Sequence, residues 1–177
     1  MLKYPLLLLR TLFFLLLTIL GLTLLSLIAL VSGKRTGPGL FIRQWWCRIM
    51  TRLAGIRTRV EGEVKEPLFL LVSNHRCYAD PAVSLQHARA FPVAKAEVAD
   101  WPIIGFAARA TGIIFVKRES RQSRRRTVTA IEQSLRAGLS VLIYPEGTTT
   151  SLPGTTQFKL GSFRVAARLG IPVVPCA

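Results

Sequence analysis

Acidic residues are scarce in this chain. Nine Asp and Glu stand against 24 Lys and Arg in 177 residues, for a formal charge of +15. Cysteine is scarce too: Cys47, Cys77 and Cys176 are odd in number and form no CxxC pair. That pattern excludes a disulfide framework and a zinc site of the CxxC kind, and it fits a reducing compartment. Only two histidines, His75 and His87, are available for imidazole chemistry. No metal-ligand cluster and no internal repeat is visible, so no metal is expected. Half of the residues are hydrophobic, which excludes a disordered chain. A soluble nucleic-acid binder can be this basic but is rarely this apolar, and no nucleic-acid-binding motif is present. Basicity joined to a greasy composition points instead to a membrane carrying anionic lipid. The length suits one domain with an appendage.

The appendage comes first. From Thr11 to Ser32 the chain reads TLFFLLLTILGLTLLSLIALVS, without a charge. A helix of that length reaches roughly 33 Å, enough for a bilayer core of about 30 Å. A signal peptide has a shorter apolar region, and no A-x-A-like cleavage site follows. Residues 1–32 are therefore expected to be a single-pass membrane anchor. Lys34, Arg35, Arg43, Arg48 and Arg52 outnumber Lys3 and Arg10, which places the following domain on the cytoplasmic side. Residues 33–55 hold a breaker-rich hinge (GKRTGPG) and a segment with Phe41, Trp45, Ile49 and Leu53 at helical spacing. That helix reads either as a basic amphipathic helix in the membrane interface or as an ordinary core-facing helix.

Residues 56–177 alternate between two patterns. Apolar runs at 68–73, 93–96, 112–117, 140–144 and 172–177 have strand character. Between them helices are expected at 81–89, 101–110, 120–137 and 159–169, with Gly138 closing the third. The implied fold is α/β, a mostly parallel sheet flanked by helices. The last strand coincides with the final residues, the pattern of a domain short at its C-terminus.

In such folds functional groups gather where strands end. The first run ends in Asn74-His75-Arg76-Cys77-Tyr78-Ala79-Asp80-Pro81. On one continuous helix five residues turn about 500°, which separates His75 from Asp80. The two can meet only across a loop that closes onto a helix start, and Asp80-Pro81 reads as N-cap and first helical residue. Taken alone, His75 also reads as a bonded loop residue and Asp80 as a simple cap. Gly112 to Arg118 brings Lys117 and Arg118 to the end of another strand. Tyr144-Pro145-Glu146-Gly147-Thr148-Thr149 follows a third, and Ile171-Pro172-Val173-Val174-Pro175 is a proline-bracketed run. His87 has no motif partner and reads as structural.

These blocks, in this order, resemble the phospholipid/glycerol acyltransferase family, of the 1-acylglycerol-3-phosphate acyltransferase type. Its blocks are NHxxxxD, GxxFxxR, FPEGT and a VPxxP-like run; the tract from Lys95 to Gly105 with Trp101-Pro102 also resembles it. The resemblance covers roughly residues 68–176. It implies an O-acyltransferase of phospholipid biosynthesis that moves a fatty acyl group from acyl-CoA or acyl-carrier protein to the hydroxyl of a lysolipid, with no other cofactor. It assigns His75 and Asp80 to catalysis, and Arg118 with the turn at Glu146, Gly147 and Thr148 to acceptor or phosphate binding. The chemistry agrees with the first pair, since a neutral His can take a hydroxyl proton and a carboxylate can orient it. Cys77 has no family role, which leaves direct transfer ahead of an acyl-enzyme. Thr149 stands where the family often has Arg. The expected acceptor is 1-acylglycerol-3-phosphate, with another lysophospholipid or a lyso-aminolipid as the alternative that Thr149 raises. The short C-terminus leaves a non-catalytic, membrane-binding homologue as an alternative.

Overall fold

The computed structural model describes residues 3–32, 37–101, 105, 108–109, 112–117, 120–149 and 154–177. The elements in chain order are α1 (Lys3–Ser32), α2 (Gly37–Leu53), β1 (Leu70–Ser73), α3 (Asp80–Leu85) and β2 (Phe91–Lys95). After a 3₁₀ turn (Ala96–Asp100) come β3 (Ile114–Val116), α4 (Arg121–Arg136), β4 (Val141–Ile143), α5 (Gly161–Leu169) and β5 (Val173–Cys176). The five strands form one sheet in the order β3-β2-β4-β1-β5, with every pairing parallel.

Period-2 alternation sorts the strand side chains onto two faces. Leu70, Val72, Val141 and Ile143 pack with Ile131 and Leu135 of α4 and with Val165 and Ala166 of α5. Phe69, Leu71, Leu142 and Tyr144 pack on the other side with Cys47 of α2 and Leu85 of α3. Strands buried on both faces read as continuous apolar runs, as β1 and β4 do; β5, at the sheet edge, is an apolar run that stays largely exposed. β1 and β4 lie side by side with Leu70 opposite Val141. The chain reaches β2 from β1 by crossing over β4, so the loops after β1 and β4 share the same edge, a switch point of the sheet.

Several boundaries differ from the sequence expectation. Strand β2 starts at Phe91, because the N–H of Phe91 pairs with the carbonyl of Ser140 at 2.8 Å and draws Phe91 and Pro92 into the ladder. Helix α3 stops at Leu85, leaving His87 exposed in a turn instead of on a helix to 89. Partial desolvation against the turn first, and Arg48 second, hold the His87 imidazole below its ordinary pKa. Helix α4 ends as expected: Gly138 takes φ +74°, and Leu139 N–H closes on the carbonyl of Ser134. The expected helix at 101–110 falls largely outside the described residues.

α1 contains the whole apolar run and packs along α2, where Thr18 Oγ1 contacts Met50 Sδ at 3.9 Å. Among the described residues no helix is long and apolar enough to cross a membrane, so the expected single-pass anchor over residues 1–32 finds no support in the structure. α2 turns a different face to the domain. Its Arg43, Cys47 and Thr51 are buried, while Phe41 and Trp45 of the expected apolar stripe remain exposed. Arg43 Nη2 donates to the carbonyl of Ala90 at 2.5 Å, and Arg48 Nε donates to that of Gln86 at 3.0 Å. Burial lowers the Arg43 pKa to about 10 and raises that of Cys47 to about 11.

Candidate active site

The loop from Asn74 to Ala79 folds back so that Asp80 gathers its donors. His75 Nδ1 lies 2.9 Å from Asp80 Oδ2. The backbone N–H groups of Arg76 and Cys77 donate to the same oxygen at 2.5 and 2.8 Å, and Cys77 Sγ donates to Oδ1 at 3.1 Å. Asp80 is the first residue of α3; the capping position belongs to Ala79, which makes no side-chain cap bond. The expectation of an Asp80 cap followed by Pro81 is thus corrected by one residue. The carboxylate serves the preceding loop, because the loop's N–H groups converge on it. Partial burial raises the Asp80 pKa, but the bonds from Cys77, His75 and Arg76 outweigh it, and the net position lies below the ordinary carboxylate value. Asp80 is therefore ionised at neutral pH. An ionised acceptor at Nδ1 assigns the proton to that nitrogen and leaves the Nε2 lone pair free.

Tyr144, the residue after β4, stacks on the His75 ring with centroids 4.2 Å apart and planes 21° from parallel. Burial pushes the Tyr144 phenol well above its ordinary value, so it stays neutral. Glu146 is buried, and both of its oxygens are engaged. Oε1 accepts the backbone N–H of His75 at 3.4 Å, and Oε2 accepts both the N–H and the hydroxyl of Thr156 at 3.0 Å. The Thr156 N–H is the largest influence on Glu146; it and the other bonds outweigh burial and hold the carboxyl below its ordinary value.

Gly147 closes the Tyr144–Gly147 turn by donating to the Tyr144 carbonyl at 3.0 Å, with φ +76°. A Cβ there would overlap the ammonium of Lys159. Thr148 is exposed beyond the turn. Arg118 lies outside the described residues. Of the six site residues singled out in the sequence, the fold thus brings His75, Asp80, Glu146 and Gly147 into one cluster. Sequence reasoning missed Thr156 and Lys159, which no motif marks. It quoted Tyr144 without giving it a role, although an aromatic at a strand end beside a His-bearing loop was an available signal.

A family model described as "Acyltransferase" matches residues 57–177. The chain belongs to the acyltransferase family. It is similar to the lyso-ornithine lipid O-acyltransferase of Rhodobacter capsulatus, 36% identical over 66% of this chain and 42% of that protein. The Pseudomonas aeruginosa protein of the same name is 33% identical over 86% and 62% of the two chains. The human 1-acyl-sn-glycerol-3-phosphate acyltransferase beta is 32% identical over 85% and 56%. This acyltransferase-family chain spans about half the length of the curated relatives it matches. Its fold is also that of the crystal structure of the 1-acyl-sn-glycerophosphate acyltransferase PlsC from Thermotoga maritima. The TM-score is 0.58 at 22% identity, covering 94% of this chain and 74% of that one.

Proposed function

We propose that this acyltransferase-family chain transfers a fatty acyl group from a thioester, acyl-CoA or acyl-carrier protein, to the hydroxyl of a lysolipid. His75 is the general base and Asp80 orients it. The observation that carries the reading is the 2.9 Å contact between His75 Nδ1 and an ionised Asp80. Nε2 accepts the hydroxyl proton as the substrate oxygen bonds to the thioester carbonyl carbon. The tetrahedral intermediate collapses with loss of the thiolate, and the imidazolium returns the proton to that sulfur. Cys77 engages its thiol with Asp80, not with His75, which favours direct transfer over an acyl-enzyme.

The acceptor we favour is a lyso-aminolipid of the lyso-ornithine type, the substrate named in four relatives that are 33 to 36% identical. Thr149, in place of a frequent family Arg, supports the same choice. A second reading, 1-acylglycerol-3-phosphate, draws on the names of the plant and human relatives. Arg118 belongs to acceptor binding in either reading. We further propose that the apolar run within α1 embeds in a membrane, without having to cross it, and holds the catalytic domain on the cytoplasmic side. Resistance of membrane-bound chain to alkaline carbonate extraction tests the anchor, and full release would exclude it.

The catalytic reading is tested with membranes carrying the chain, a labelled acyl thioester and a panel of lysolipids. Wild type should acylate at least one acceptor. His75→Ala should lose about 10²- to 10⁴-fold in rate, the usual contribution of a general base. A folded His75→Ala chain with most of its activity would exclude the mechanism.

A further inference from the structure

Tyr144 has a second neighbour besides His75. It lines a cavity of about 240 Å³ with a buried apolar floor that includes Ile131 and Ile143. Two cations stand on the exposed side of this cavity: Arg124 from the start of α4, and Lys159 from the segment before α5. Their placement is built by the backbone. The N–H of Lys159 donates to the carbonyl of Pro145 at 2.9 Å, which ties Lys159 to the turn carrying Glu146. Gly147 leaves the space that the Lys159 ammonium occupies, since any side chain there would overlap it. Gly161 lets α5 begin close against α4, because a Cβ at that position would lie 2.7 Å from Val128 Cγ2.

Helix stability does not explain Arg124. The first turns of α4 carry Arg124, Arg125 and Arg126 and no acid in the first turn, and cations at a helix N-terminus oppose the macrodipole. Their charge is suited to an anion approaching from outside the helix. Arg124 and Lys159 line one cavity, and a guanidinium with an ammonium suits a phosphate or a carboxylate.

We infer that Lys159 and Arg124 form an anion subsite that holds the charged group of a substrate while its reacting atoms lie at His75. This inference rests on the acyltransferase reading above. The anion has two sources: the headgroup of the acceptor lipid (phosphate, or the carboxylate of an ornithine head) or the phosphates of the thioester carrier.

The full chain in detergent micelles is titrated with inorganic phosphate at constant ionic strength, and phosphorus line broadening is read for wild type, Lys159→Ala, Lys159→Arg and Arg124→Ala. Broadening should be strong for wild type, retained in Lys159→Arg, weakened in Arg124→Ala and lost in Lys159→Ala. In the acylation assay Lys159→Ala should raise KM for one substrate about tenfold with kcat nearly unchanged, as expected for one lost charge-assisted contact. A rise for the lysolipid identifies the headgroup as the anion, and a rise for the thioester identifies the carrier's phosphates. The subsite is overturned if Lys159→Ala broadens phosphate as strongly as wild type, or if neither KM moves. A wild-type chain that binds phosphate through Lys159 yet acylates nothing would reject the enzyme reading while leaving the subsite in place.

Discussion

Glu146 Oε1 accepts the backbone N–H of His75 at 3.4 Å, so the loop after β4 holds the loop after β1 in place. The other oxygen of the same carboxylate holds Thr156. Three segments of the site edge therefore meet on one buried side chain. Both oxygens of Glu146 are thus engaged in holding these segments together.

Acid should loosen this arrangement. Glu146 and Asp80 both titrate below their ordinary values of 4.5 and 3.8 in the folded chain. A depressed folded pKa adds stability that is complete above the unfolded value and is lost as pH falls through the folded value. Urea unfolding of the full chain should show stability falling as pH drops below 4.5. The fall should be shallower in Glu146→Gln, which has no carboxylate to protonate. Equal slopes for the two proteins would mean that Glu146 gains nothing from its partners.

Orientation of the imidazole can be separated from its basicity. Asp80→Asn keeps an oxygen for the N–H groups of Arg76 and Cys77 but removes the charge that fixes the proton on Nδ1 of His75. Loss of the oriented tautomer costs up to about 10⁴-fold in kcat in comparable His–Asp pairs. The expected result is a fall in kcat of about 10²-fold or more, with KM for both substrates changed less than threefold (about 0.7 kcal/mol). Unchanged kcat would reduce Asp80 to a loop-shaping residue.

Arg43 is one of the buried contacts that attach α2 to the domain. It is 4% exposed, donates to the carbonyl of Ala90, and lies 5.4 Å from the Phe91 ring centroid. Arg43→Ala leaves that buried carbonyl without this donor and opens a void, at a cost of about 2–4 kcal/mol. Thermal unfolding should fall by several degrees, whereas Arg52→Ala at an exposed position of the same helix should change little. Comparable losses for both variants would show that α2 is held by general packing.

Much of this protein is written in local patterns. β1 and β4 are short apolar runs because parallel strands covered on both faces need no polar alternation. Ser120 and Gly138 bound α4 through a side-chain cap and a left-handed turn, effects that act within a few residues. The spacing from His75 to Asp80 likewise required a loop, and a loop is what joins them.

What the tertiary structure decided are the relations between residues far apart in the chain. The cap at Ala79, one residue before Asp80, follows from the loop N–H groups that converge on the carboxylate. The face of α2 that is buried follows from where α1 and α3 lie, so its apolar stripe at Phe41 and Trp45 faces outward while Arg43 turns inward. Glu146 reaches His75 because β4 pairs beside β1, and Lys159 reaches Gly147 because its backbone bonds to Pro145. Local propensity acts over a few residues, whereas strand order and side-chain contact depend on which distant surfaces bury each other. The residue types of the site were therefore readable in sequence, and the division of labour among them was set by packing.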